Sequence, residues 1–100
     1  MDHRVSWSPA ALDDVAAIAE YIERDSPAHA QAVIQKMLAA ATGLRSFPQA
    51  GRTVPEFDDD EFREIFVYSY RVIYRVLDQG VLIVAVVHGR RLLNSMIDDR

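Results

Sequence analysis

The sequence predicts an α+β domain in the order β-α-α-β-β-β, with an antiparallel helical hairpin packed on one face of a small, mainly antiparallel sheet. Three observations predict it. Ser8-Pro9 and Ser26-Pro27 each open a stretch with apolar residues at helical spacing. Only Asp25 and Ser26 separate the two stretches, which leaves room for a helical hairpin and nothing longer. The second half of the chain holds three runs rich in β-branched and aromatic residues.

Each Ser-Pro pair puts a hydroxyl at the N-cap and a proline at the first helical position. Leu12, Val15, Ala16, Ala19 and Ile22 share one face of a helix over residues 9–24. Asp13 and Asp14 lie near its positive end, where the dipole favours negative charge. Ala30, Val33, Ile34, Met37, Leu38, Ala41 and Leu44 do the same for residues 27–45. The many alanines of both helices leave shallow grooves that a partner can fill. Residues 46–55, with two prolines and a glycine, read as loop. Phe62–Val67, residues 70–78 and residues 81–88 are strands, the last two joined at Asp78-Gln79-Gly80 with glycine at a left-handed position. Arg4–Trp7 adds an N-terminal edge strand. The run over 81–88 is apolar on both faces and belongs inside the sheet. Alternation puts Tyr70, Val72, Tyr74 and Val76 under the helices and Arg71, Ile73 and Arg75 on the open face. The face of Arg63 depends on a pairing register that is not readable.

Length and composition narrow the function. One hundred residues make one domain, spanning 1–100. The chain has no cysteine, which excludes disulfides, a thiolate nucleophile and cysteine-bound metals. A reducing cytoplasm is the expected location, since there is no signal-peptide stretch and no apolar run long enough to span a membrane. The net charge of −4 argues against a surface that binds nucleic acid everywhere. The charge is uneven, however. Asp58, Asp59, Asp60 and Glu61 form an acidic run that reads as a solvated turn, and the chain after it is mildly basic through arginines alone. Arginine offers a planar fork for carboxylate or phosphate, so an anionic partner is expected there. Arg63, Arg71, His88, Arg90 and Arg91 are the candidate partner-binding residues. No phosphate-binding loop, dinucleotide fingerprint, GxSxG elbow or HExxH is present. His3, His29 and His88 lack ligand spacing, so no metal and no cofactor are expected. His88 is read as a strand-end histidine rather than an acid–base group, because no carboxylate is identifiable to orient it.

Val5-Ser6-Trp7-Ser8-Pro9, Gly51-Arg52, Arg63-Glu64, Tyr70-Arg71-Val72-Ile73-Tyr74 and Val87-His88-Gly89-Arg90-Arg91 together resemble the RelE/ParE superfamily of type II toxin–antitoxin toxins, over about residues 5–92. The resemblance implies a cytoplasmic toxin, of plasmid-stabilization type, neutralised by a cognate antitoxin in a heterotetramer or higher complex. Two activities are implied. RelE-like members cut mRNA on the ribosome with lysines on the strand matching Phe62–Val67, arginines matching Arg71 and Arg90 or Arg91, and a C-terminal tyrosine or histidine. Here Phe62–Val67 has no lysine, and neither tyrosine nor histidine follows Arg91. General acid–base groups contribute about 10²–10⁴-fold each, so such a site would be crippled as a nuclease. ParE-like members inhibit DNA gyrase through a binding surface and need none of these groups. The expectation is therefore a ParE-like gyrase inhibitor, with the mRNA endonuclease as first alternative and a non-toxic antitoxin-binding scaffold as second.

Overall fold

The computed structural model describes residues 3–89. Both serine caps form: Ser8 Oγ accepts from the Ala11 N–H at 3.0 Å, and Ser26 Oγ from the His29 N–H at 3.1 Å. They start helices α1 (Pro9–Glu23) and α2 (Pro27–Gly43), with Arg24 and Leu44 as C-caps. The strands are β1 (Arg4–Trp7), β2 (Arg52–Thr53), β3 (Phe62–Val67), β4 (Tyr70–Val76) and β5 (Gly80–His88). They form one sheet in the order β1-β5-β4-β3-β2. β1 runs parallel to β5, and the other pairs are antiparallel.

The predicted alternation of β4 holds on the helix side. Val72 and Tyr74 are fully buried with Val33, Met37, Ala41 and Leu44 of the hairpin region, and Tyr70 and Val76 pack at the edges of the same core. The other face departs from the expectation of an open surface. Ile73, Ala85 and Val87 form a second buried cluster, covered by Val54 and flanked by Phe57 and Phe62. The apolar residues of β5 on that side require a cover, and the segment between β2 and β3 supplies it.

Three local expectations are corrected. The 46–55 loop contains the short strand β2, which adds to the edge of β3. No glycine among the described residues takes a positive φ, so Gly80 is not a left-handed turn residue. It opens β5, where a Cβ would lie 3.2 Å from the Arg4 carbonyl oxygen, and close approach of β1 is what it permits. Neither Asp13 nor Asp14 falls in the first turn of α1, and Asp14 accepts from the Val86 N–H at 2.9 Å, tying α1 to β5.

Gly51 is the most crowded of the described glycines. A Cβ there would meet the Glu64 carbonyl oxygen at 2.5 Å and the Tyr74 hydroxyl at 2.7 Å. The Gly51 N–H donates to the Tyr74 hydroxyl at 2.9 Å, and its carbonyl accepts from Arg63 Nη1 at 2.9 Å. This clamp seats β2 on β3. Gly51→Ala must push the clamp apart, and overpacking of this kind costs about 1–3 kcal/mol. Thermal unfolding followed by circular dichroism should show a Tm lowered by about 5–20 °C.

Candidate functional site

The β3–β4 register decides which charged residues meet. Phe66 lies opposite Arg71, and Glu64 opposite Ile73, so Glu64, Phe66 and Arg71 share the face turned away from the helices. β2 brings Arg52 opposite Glu64. The covering segment brings Glu56 over the same spot. The result is a chain of alternating charge, Arg52–Glu64–Arg71–Glu56.

Its geometry is closed around Arg71. Arg71 Nε donates to Glu64 Oε1 at 2.7 Å, and Nη2 pairs with the same oxygen. Nη1 and Nη2 donate to the two carboxylate oxygens of Glu56, each at 2.7 Å, a bidentate pair. Arg52 Nε donates to Glu64 Oε2 at 2.7 Å, and its guanidinium stands 5.2 Å from the centre of the Phe66 ring. The Glu64 side chain has no exposed surface and that of Arg71 is 4% exposed, against 17% for Glu56 and 58% for Arg52. Two carboxylates therefore line adjacent edges of the buried guanidinium, with Nη2 meeting both. The hydrogen bonds that Arg71 donates to Glu56 and then to Glu64 make it hold its proton more tightly than usual, against the opposing effect of burial. The bond from Arg71 in turn holds the Glu56 carboxyl below its ordinary 4.5, against the opposing effect of burial.

The predicted site residues do not assemble as one surface. Arg71 is enclosed. Arg63 falls on the opposite face, in register with Tyr74, and bonds the Gly51 carbonyl. His88 ends β5 opposite Tyr70, with the two rings edge-on at 5.9 Å. Arg90 and Arg91 lie outside the described residues. Glu56 and Arg52 were not among the predicted site residues. Glu64 carried a signal, as the one acid within an otherwise apolar or basic strand. The acidic run is an exposed turn in which Asp59 accepts from the Glu61 N–H at 2.9 Å and Glu61 pairs with Arg75 at 3.3 Å. No group of three potential metal ligands occurs among the described residues.

The fold has known counterparts. A family model described as the ParE toxin of the type II toxin–antitoxin system parDE matches residues 5–93. The chain belongs to the ParE toxin family. It is a toxin of a type II toxin–antitoxin system. Toxin RelE2 of Caulobacter vibrioides is 36% identical to this ParE-family chain over 90 residues, covering 89% of this chain and 98% of the relative. Among solved structures, the chromosomal ParDE system of P. aeruginosa matches with a TM-score of 0.71 at 18% identity, covering 86% of this chain and 95% of that one. E. coli RelE, a mutant in the free state, matches with a TM-score of 0.65 at 17% identity, covering 99% and 93%. RelBE2 from Mycobacterium tuberculosis matches at 0.64 and 18% identity, covering 88% and 99%. At these identities the structures establish the shared two-helix, five-strand α+β fold. Among the described residues no helix is long and apolar enough to cross a membrane.

The charge chain has testable energetics. Breaking a buried ion pair from one side costs about 3–5 kcal/mol, because the other charge is left uncompensated. Glu64→Gln leaves Arg71 and Arg52 facing a neutral amide, and chemical denaturation should show a loss of about that size. Glu56→Gln should cost less, about 1.5–3 kcal/mol, since Glu64 still holds Arg71. The Glu56 contribution should depend on pH. Its folded pKa is depressed, so its stabilisation is complete above the ordinary glutamate range and is lost as pH falls through the folded value. The stability gap between wild type and Glu56→Gln should be full at pH 7 and should shrink on acidification below pH 4.5. A gap that stays constant to pH 2 contradicts the assignment.

Proposed function

We propose that this toxin acts by binding DNA gyrase rather than by cutting RNA, and that a cognate antitoxin neutralises it. The enclosure of Arg71 carries the reading. Cleavage of a ribose–phosphate chain needs an open cation at the phosphate, a base for the 2′-hydroxyl and an acid for the leaving oxygen. Arg71, the described arginine that the resemblance assigns to that task, already faces two carboxylates. Glu64 and Phe66 stand where the nuclease pattern has lysines, and an added carboxylate repels a phosphate. These features are tolerable in a docking protein and damaging in a nuclease.

The remaining candidates for the target contact are Arg90 and Arg91, beyond the end of β5, with His88 beside them. The antitoxin has a separate seat on this reading. A groove lined by Ala17, Ile18 and Tyr21 of α1 and by Tyr70, Val86 and His88 of the sheet has the small and apolar lining that suits a helix. The toxin works in the cytoplasm, where its target is.

Toxin freed of antitoxin should inhibit gyrase supercoiling and accumulate cleaved DNA. No effect at excess toxin, together with codon-dependent cuts in mRNA on ribosomes, would reverse the assignment to the endonuclease. Unhindered growth of cells making the wild-type chain without antitoxin would reduce it to a scaffold. Replacing both Arg90 and Arg91 by alanine should let cells survive expression while antitoxin binding persists. Unchanged killing by the well-expressed double variant contradicts the role given to them.

A further inference from the structure

Glu56 differs from the other three members of the charge chain in how it is held. Glu64, Arg71 and Arg52 stand on paired strands, so ladder hydrogen bonds fix them. Glu56 stands on the irregular segment between β2 and β3. That segment meets the sheet through a backbone bond at each end, from the Val54 N–H to the Phe62 carbonyl at 3.3 Å and from the Val76 N–H to the Glu61 carbonyl at 2.7 Å, and turns on itself through the Phe57 N–H and the Val54 carbonyl at 3.0 Å. Its remaining hold is side-chain seating. Val54 is buried on Ile73 and Val87, and Glu56 grips Arg71 with both oxygens.

Taken together, these contacts are those of a short peptide in a groove: a β-branched anchor, a carboxylate on a guanidinium, and an aromatic ring beside them. Without Glu56, the group Arg52–Glu64–Arg71 carries a net positive charge next to an apolar strip. With the single Glu64 carboxylate then shared between two arginines, the freed Nη1 edge of Arg71 favours a replacement anion. We propose that residues 54–57 act as an internal ligand covering an acceptor surface for an acidic peptide, with the Glu56–Arg71 pair as its latch. The partner that fits carries a carboxylate flanked by apolar side chains, as Val54-Pro55-Glu56-Phe57 does. The inference stands apart from the identity of the toxin's target.

An arginine-directed dicarbonyl reagent tests it on the full-length toxin, with modification of each arginine followed by mass spectrometry. In the wild type, Arg52 should react and Arg71 should react at least about tenfold more slowly, given their 58% and 4% side-chain exposure. In Glu56→Gln, Arg71 should approach the rate of Arg52, while Arg63 and Arg75 keep their wild-type rates as folding controls. Glu56→Asp, which keeps the charge on a shorter arm, should fall between. The free peptide Val-Pro-Glu-Phe should then slow Arg71 modification in Glu56→Gln, and Val-Pro-Gln-Phe should not. An Arg71 as protected in Glu56→Gln as in the wild type overturns the latch. A uniform rise at all four arginines also overturns it, because Glu56 would then be holding the whole fold. Equal action of the two peptides overturns the acceptor surface.

Discussion

A guanidinium that cannot lose its proton lies inside this small protein, and the surrounding structure is arranged to keep it there. Arg71 cannot be neutralised by titration, so burial demands counter-charge. Glu64 supplies it from the neighbouring strand and Glu56 from the covering segment. Glu64 then needs its own second partner, and Arg52 on β2 provides one. β2 reaches its place because Gly51 passes under Tyr74 and Arg63 without a side chain. One buried charge thereby explains a glutamate inside a strand, a glycine in a tight passage, a two-residue edge strand and the cover over Ile73 and Val87.

The same arrangement bears on what the toxin does. The sheet face turned away from the helices is the one that carries the charge chain. In this chain that face is filled: its apolar half by Val54 and Phe57, its charged half by two carboxylates. A face occupied by its own side chains has little affinity left for a polyanion, and the overall charge of −4 adds to the repulsion. On the proposed function, recognition falls to surfaces elsewhere: the end of β5 for the target and the α1–β5 groove for the antitoxin.

Much of the fold was legible because local signals agreed with one another. The Ser-Pro caps placed both helix starts, and alternation in Tyr70–Val76 assigned its helix-facing side. Phe62–Val67 and Arg4–Trp7 matched their predicted limits. The site was less legible because it depends on register and on a segment without periodicity. Whether Arg63 or Glu64 joins Arg71 turns on a shift of one residue, and the hydrophobic pattern of β3 does not fix it. The approach of Glu56 depends on tertiary seating of Val54, which leaves no mark in local sequence. Counting arginines located the charged region but could not show that its central member already had its anions.

Arg71 belongs either to the architecture or to the target contact, and one variant separates the two. Replacing Arg71, Glu64 and Glu56 together by methionine, leucine and leucine removes the charges while keeping an apolar fill, a kind of exchange that buried ion-pair groups often tolerate. Expressed without antitoxin, a folded triple variant should arrest growth as the wild type does. A triple variant that folds as well as the wild type yet leaves growth untouched would show that the guanidinium itself meets the target.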